Sequence, residues 1–499
     1  MDLIGNLAHG FAVAFSLQNL LFALIGALIG TAIGVLPGIG PVATISLLLP
    51  ITFGQPATTA IIMLAGIYYG AQYGGSTTAI LLNLPGEISS VVTTLEGYKM
   101  ARNGRAGAAL ATSALGSFFA GTVATVVVAA SGPLLTSIAL SFGPADYFSL
   151  MLLGLIISAV LAQGSVLKSV AMVVLGVALG LVGTDVQTGQ QRFTFGIPEL
   201  SDGIGFVSVA MGMFGIAEII LNLERPEARE VLKTEVGSLF LTKEEWKRAT
   251  PSVLRGTLVG SVLGILPGGG ASLASFGAYM MERKISKGRH LFGQGAIEGV
   301  AGPEAANNAA AQTSFIPLLT LGIPANAVMA LMVGALIIQG IQPGPRMVEA
   351  QPDLFWGLIA SMWIGNVMLL VINLPMIGMW VKLLQVPYKF LYPSILVFCC
   401  IGVYSLNNNV FDVYMTVLFA IFGYMCNKLK MEPAPLLIGF VLGPMMEEHL
   451  RRAMLLSRGD VMVFLQRPIS ASMLAIGAIA LLAMMLPNLR KGKEAALSG

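Results

Sequence analysis

The chain has 499 residues, 56% of them hydrophobic and only 11% charged, with a formal net charge of +3. Ordinary soluble domains hold about 25% charged residues, so a water-soluble fold is excluded. So small an excess of basic groups, gathered in loops, reports membrane topology and argues against a nucleic-acid partner.

Apolar runs of about 20 residues, enough to cross a hydrocarbon core of roughly 30 Å, recur from end to end. The start, Met-Asp-Leu-Ile-Gly-Asn, lacks a basic region, and the first apolar stretch is too long for a cleavable signal. Spans are expected near 11–35, 58–82, 107–130, 145–163, 166–183 and 203–222. After them come 253–266, 296–321, 325–341, 355–380, 391–405, 411–427, 433–446 and 469–487. Two shorter apolar pieces, 41–51 and 270–281, read as half-helices or re-entrant hairpins. The expectation is an all-α, polytopic membrane protein of about twelve spans plus broken helices. One long polar interruption, 224–255, separates residues 1–223 from 256–499 and reads as a cytoplasmic amphipathic linker. Its Leu-Thr-Lys-Glu-Glu-Trp-Lys-Arg segment suits a short interfacial helix. The tail, with Arg490, Lys491 and Lys493 after the last span, is expected on the cytoplasmic side.

One phrase occurs twice. Residues 26–40 read G-A-L-I-G-T-A-I-G-V-L-P-G-I-G and residues 256–270 read G-T-L-V-G-S-V-L-G-I-L-P-G-G-G. Each is a membrane-helix stretch that ends in Leu-Pro-Gly-x-Gly. Proline removes an amide donor and glycine loosens the backbone, so helices are expected to break at Pro37-Gly38 and at Pro267-Gly268. Broken helices at matching places in two halves point to the substrate site of a secondary transporter.

The loops add an orientation. The loop after the first break, 52–57, carries no Lys or Arg, whereas the loop after the second, 282–290, carries Arg283, Lys284, Lys287 and Arg289. One element further on the bias reverses: Lys99, Arg102 and Arg105 stand in the first half against Arg346 alone in 340–353. Positive charge marks the cytoplasmic side, so the two repeats are expected to have inverted topology.

A second pair of breakpoints follows. Residues 73–86 end at Pro85 and residues 307–326 include Pro324. Hydroxyls and amides at membrane depth are costly unless they meet a partner or a wet cavity. Ser76, Thr77, Thr78 and Asn83, with Asn307, Asn308, Thr313, Ser314 and Asn326, are therefore candidate site groups. The bland alternative is back-bonding to a helix carbonyl or packing against a neighbour. Half-helices that start at Gly38-Gly40 and Gly268-Gly270 would aim amides and the positive end of the helix dipole at an anion. Thr44 and Ser46, with Ser272 and Ser275, could add hydroxyls. Carbonyls released near Gly38, Gly268, Pro85 and Pro324 suit sodium.

These residues resemble the large permease subunit of the tripartite tricarboxylate transporters, the TctA family. The likeness spans essentially the whole chain and rests on the doubled G-x-L-P-G-x-G, on Y-G-G-S-T-T-A-I-L-L-N-x-P-G, and on P-E-A-A-N-N-A at 303–309. It implies ion-gradient-driven uptake of tricarboxylates or other small carboxylates across the bacterial inner membrane, coupled to sodium or protons. It also implies two partners, a small four-span membrane subunit and a periplasmic solute-binding protein that delivers the substrate. A passive anion channel, or a secondary transporter of another anionic solute, is the alternative. The second copy has Ala271 where the first has Pro41, so the two half-sites need not bind equivalently.

No phosphate-binding G-x-x-x-x-G-K-[ST] loop, catalytic pair or metal-ligand cluster stands in the sequence, so no enzyme activity and no resident cofactor are expected. His9, His290 and His449 are scattered, and Glu447-Glu448-His449 with Arg451-Arg452 reads as a membrane-edge charge cluster. Cys399, Cys400 and Cys426 give no disulfide framework. Asp146, Asp185 and Asp202 are expected to be solvated loop-edge groups.

Overall fold

The computed structural model describes residues 3–36, 40–139, 141–162, 165–185, 187–224, 237–266, 270–383 and 388–485. Pro37, Gly38, Pro267 and Gly268 lie outside the described residues. The chain opens with α1 (Leu3–Ala14), α2 (Leu17–Val35), α3 (Pro41–Thr52), α4 (Ala57–Leu82), α5 (Val91–Met100) and α6 (Ala106–Ala139). Next come α7 (Pro144–Leu161), α8 (Val166–Gly180), α9 (Phe206–Ala210) and α10 (Ala217–Glu224). A short hairpin, β1 (Gly183–Thr184) with β2 (Gln191–Arg192), lies between α8 and α9.

Beyond the linker follow α11 (Lys243–Leu263), α12 (Gly270–Ile285), α13 (Glu298–Thr313), α14 (Phe315–Leu321) and α15 (Ala327–Ile338). After these come α16 (Met347–Ala350), α17 (Pro352–Asn373), α18 (Ile377–Leu383), α19 (Tyr388–Asn407) and α20 (Val410–Lys428). The last three are α21 (Ala434–Leu456), α22 (Val463–Gln466) and α23 (Pro468–Met485).

The protein is an all-α, multi-pass membrane protein. Among the described residues, six segments are long and apolar enough to cross a bilayer: Leu17–Val35, Ile88–Ala139, Pro144–Leu161, Phe206–Glu224, Pro352–Asn373 and Val410–Lys428. Shorter apolar helices accompany them, including the expected half-helix Pro41–Thr52. Exposed Leu258, Val262, Val367, Val371, Leu418 and Ile421 give the bundle an apolar exterior, as contact with acyl chains requires.

Local signals set several boundaries. Ser16 accepts from the Asn19 amide and starts α2, so the single span expected over 11–35 is two helices. A capping box of Thr242 and Glu245 starts α11 at Lys243. The expected interfacial segment and the span after it are therefore one continuous helix. Pro41 sits in the first turn of α3, where its missing amide costs nothing. Helix α6 runs past Pro133 to Ala139, beyond its expected end at 130.

The doubled glycine phrase is a packing surface. A Cβ on Gly26, Gly30 or Gly34 would lie 2.3–2.5 Å from the carbonyl oxygens of Met63, Ile67 and Ala71 on α4. On α11, a Cβ on Gly256 or Gly260 would meet the Gly302 and Ala306 carbonyls of α13 at 2.1 and 2.2 Å. Small residues thus let backbones meet backbones, the usual means of helix association in lipid. Helix α6 then packs on α13, and α17 packs on α4.

The loops also meet in pairs. Lys99 donates to the Gly293 carbonyl (2.6 Å) and Asn103 to that of Gln294 (3.1 Å), which joins the basic loop after α5 to the loop after α12. Gln339, after α15, donates to the carbonyls of Thr52 (3.0 Å) and Gln55 (3.4 Å), after α3.

Two aspartates differ from expectation. Asp146 and Asp185 are buried: Asp146 accepts from Arg467 and the Gly143 amide, and Asp185 from Arg451. Asp202 is exposed as expected. The expected charge cluster forms, with Glu447 paired to Arg192 and Arg451 and Glu448 paired to Arg452.

Candidate functional site

Helix α4 is buried from Thr59 to Leu82, and α13 from Glu298 to Thr313. Helix α4 carries Gly, Ala, Ser and Thr and α13 carries Gly, Ala and Asn, so both bring small and polar groups into the interior. Each run ends the same way. Asn83 terminates α4 in the left-handed conformation (φ 59, ψ 26), and Gly322 terminates α14 likewise (φ 73, ψ 19). Four residues later the chain is extended at Glu87 (φ −150) and at Asn326 (φ −157), each of which begins the next helical turn. The correspondence is a shift of 239 positions: 83 to 322, Pro85 to Pro324, and 87 to 326.

The two ends face each other crosswise. Asn307 donates from Nδ2 to Glu87 Oε1 (3.3 Å), and Asn326 donates from Nδ2 to the Tyr68 hydroxyl (3.4 Å). Tyr68 and Asn307 are themselves related by the shift of 239, so these two contacts are mates. Ser89 donates to Glu87 and lies 2.9 Å from Gln72 Oε1. Ser275, on the half-helix α12, donates to the Ser89 carbonyl (2.8 Å). Gly270 has φ +43, a conformation that favours glycine, and a Cβ there would lie 3.2 Å from Asn326 Nδ2. The Asn307 Oδ1 atom is buried without a hydrogen-bond partner among the described residues.

Of the residues singled out from sequence, this arrangement gathers Asn307, Asn326, Gly270 and Ser275. Gly40 caps α3 with open space around its α-carbon. Several hydroxyls follow the bland reading and bond within their own helix: Thr44 to the Gly40 carbonyl, Thr313 to Ala309, Ser314 to Ala311 and Thr77 to Tyr73. Thr78 bonds the Gly75 carbonyl and reaches that of Gly34, at the end of α2. Asn308 bonds Ser117 (2.7 Å), Ser272 is half-buried, and Asn83 is exposed. Ser76 does not simply back-bond, because it also lies 2.6 Å from Glu304.

The sequence reading missed the two acids. Glu304 is fully buried and is met by Ser76, Thr93 and Ser113, and among the described residues no lysine or arginine is bonded to it. Glu87 faces Asn307 and Ser89. A signal existed for both: Glu304 is the only charged residue between Glu298 and Arg346, and Glu87 is the first after Asp2. Isolated ionisable groups in apolar stretches mark function by default. The other buried acids nearby are satisfied: Glu282 by Arg255, Glu298 by Arg248, and Glu96 by three backbone amides and Tyr279.

Comparison with known proteins agrees with this picture. Residues 20–438 match the family described as "Tripartite tricarboxylate transporter TctA family". A protein of Agrobacterium vitis, described as an "Uncharacterized 52.8 kDa protein in TAR-I ttuC' 3'region", is 60% identical over 99% of this chain and 98% of its own length. A second from the same organism, an "Uncharacterized protein in TAR-II ttuC' 3'region", is 60% identical over 47% of this chain and 97% of its own. No solved structure matches significantly.

Proposed function

Because the chain belongs to the tripartite tricarboxylate transporter TctA family, we propose that it is the permease that carries small carboxylates inward, driven by an ion gradient and supplied by a periplasmic binding protein. The observation that carries this reading is the crosswise meeting of the two breakpoints, Glu87 with Asn307 and Tyr68 with Asn326. Discontinuous helices that meet inside an apolar bundle are how secondary transporters build a site near the bilayer midplane.

The charges give the reading its ion coupling. The breakpoint segments 37–44, 73–86, 267–275 and 307–326 hold no lysine or arginine, while Glu87 and Glu304 stand beside them. A carboxylate cannot settle next to an unpaired carboxylate in a low-dielectric site. Cations, sodium or protons, must therefore neutralise the site before the substrate binds. Half-helices α3 and α12 would then offer their free N-terminal amides to the substrate. Gly38, Gly40, Gly268, Gly270, Thr44 and Ser272 would line that approach, with Thr78 and the carbonyls near Pro85 and Pro324 on the ion side.

The architecture proposed with it is two inverted repeats, 1–223 and 256–499, joined by the 224–255 linker. Each repeat packs a glycine-lined helix on a buried partner. The loop pair 99–103 with 293–294 is rich in Lys and Arg, and its mate, 52–55 with 339, has none. Opposite charge bias at mated positions supports the reading that they lie on opposite membrane faces. The basic pair and the C-terminus are then cytoplasmic in the bacterial inner membrane. A small four-span membrane subunit completes the complex.

The test is reconstitution of the permease in vesicles with its small membrane subunit and an excess of binding protein. Accumulation of a carboxylate above its external concentration, abolished by collapsing the ion gradients, is the expected result. Flux that only equalises concentrations would instead make the protein a channel.

A further inference from the structure

Resting on the transport reading, we propose that Glu304 is the group that takes up and releases the coupling proton. Its surroundings are built for two protonation states. The Ser76 hydroxyl lies 2.6 Å from Glu304 Oε2 and 3.0 Å from the Gln72 carbonyl oxygen. A hydroxyl has one proton, and ionised Glu304 and the carbonyl are both acceptors, so Ser76 can serve only one of them at a time. With Glu304 ionised, Ser76, Thr93 and Ser113 donate to its two oxygens. With Glu304 protonated on Oε2, the new O–H donates to Ser76 Oγ, and Ser76 turns its own proton to Gln72. One O–H bond forms, the charge goes from −1 to 0, and no buried polar group is orphaned.

Among the described residues no lysine or arginine pairs with Glu304. Tyr73 from α4 and Glu87 from the breakpoint are the titratable groups that face Glu304. Of the rest on the helices around it, Glu282 and Glu298 are paired with arginines and Glu96 is held by amides. Tyr279 donates to Glu96. A place for a proton-carrying water lies next to this cluster. Ser113 lines a water-sized cavity of mixed polar and apolar walls with Tyr73, Thr77, Asn373, Leu110 and Ile377, and the Asn373 Oδ1 atom is buried without a hydrogen-bond partner among the described residues. Water there would find the two or more polar partners that a buried water needs, and would supply or remove the proton through Ser113.

The experiment compares wild type and Glu304→Gln in vesicles with the small subunit and binding protein. For one coupled proton, an inward gradient of one pH unit sustains about tenfold accumulation of the carboxylate. Glu304→Gln should lose that accumulation yet keep exchange of labelled for unlabelled carboxylate, which moves no net proton. Accumulation that survives in Glu304→Gln, or that follows sodium and ignores pH in wild type, overturns the proposal. Infrared difference spectra of wild type, taken from about pH 5 to pH 9 where buried carboxyls titrate, keep the test independent of the variant's folding and of the cargo. A titrating carboxyl band that Glu304→Gln removes supports the assignment, and a wild type without such a band refutes it. If wild type accumulates no carboxylate under any gradient, the transport reading fails while the spectra still decide for or against Glu304.

Discussion

At the scale of single residues, glycines that look alike in the sequence separate into two kinds. Gly260 touches the Ala306 carbonyl across the α11–α13 contact, whereas among the described residues nothing lies within 4 Å of a Cβ added to Gly40. Gly260→Val should therefore destabilise the protein by about 1–3 kcal/mol or more, as overpacking does, and show a lower melting temperature in detergent. Gly40→Ala should stay within about 0.5 kcal/mol of wild type, and its effect should appear as weaker carboxylate uptake at normal expression. Equal melting losses in the two variants would contradict this division. Spacing alone could not tell the two apart, because both belong to one repeated phrase. Glu87 and Glu304 were legible in principle as lone charges in apolar stretches. Their partners were not, since Ser76 and Glu304 stand 228 positions apart.

At the scale of elements, the breaks were readable because proline and glycine act locally: α4 ends at Leu82 ahead of Pro85, and α14 at Leu321 ahead of Pro324. The β1–β2 hairpin was not, being a four-residue ladder held by charge from a distant helix. Asp185, in its loop outside the membrane-spanning segments, sits at about 2, below its ordinary 3.8. The Gln187 amide is the leading cause, and the Thr188 amide and Arg451 add to it against the opposing effect of burial. A depressed carboxylate stabilises the fold above its unfolded value and loses that contribution as pH falls. The hairpin should hold from neutral pH down to about 4 and loosen between there and about 2. Amide exchange across 183–192 reports it, and Asp185→Asn should raise exchange at neutral pH and abolish the acid-dependent step. Protection of these amides that does not change between neutral pH and about pH 2 in wild type would show that ionised Asp185 does not secure the hairpin.

At the scale of the whole molecule, sidedness is the decisive property. Asn103 is exposed in the basic loop after α5, and in the loop after α12 Ser286 is buried while its neighbour Lys287 is exposed. In a background without Cys399, Cys400 and Cys426, cysteines at Asn103 and Lys287 should resist an impermeant thiol reagent in intact cells. A cysteine at Gly54 should react with it. Labelling of all three alike would remove the inverted arrangement.

The backbone-to-backbone seam between α2 and α4 has a mechanical consequence. With carbonyls lodged where side chains would stand, neither helix can slide or roll against the other without collision, and α11 is locked to α13 in the same manner. Each couple must travel as one stiff lever. In the proposed transport cycle, the displacement that opens the site to one aqueous compartment and then to the other falls on the polar contacts between the levers and the turns that flank them. Ser76 with Glu304, at 2.6 Å, and the longer contacts of Tyr68 with Asn326 and Glu87 with Asn307, at 3.3–3.4 Å, are the latches that such rocking would open.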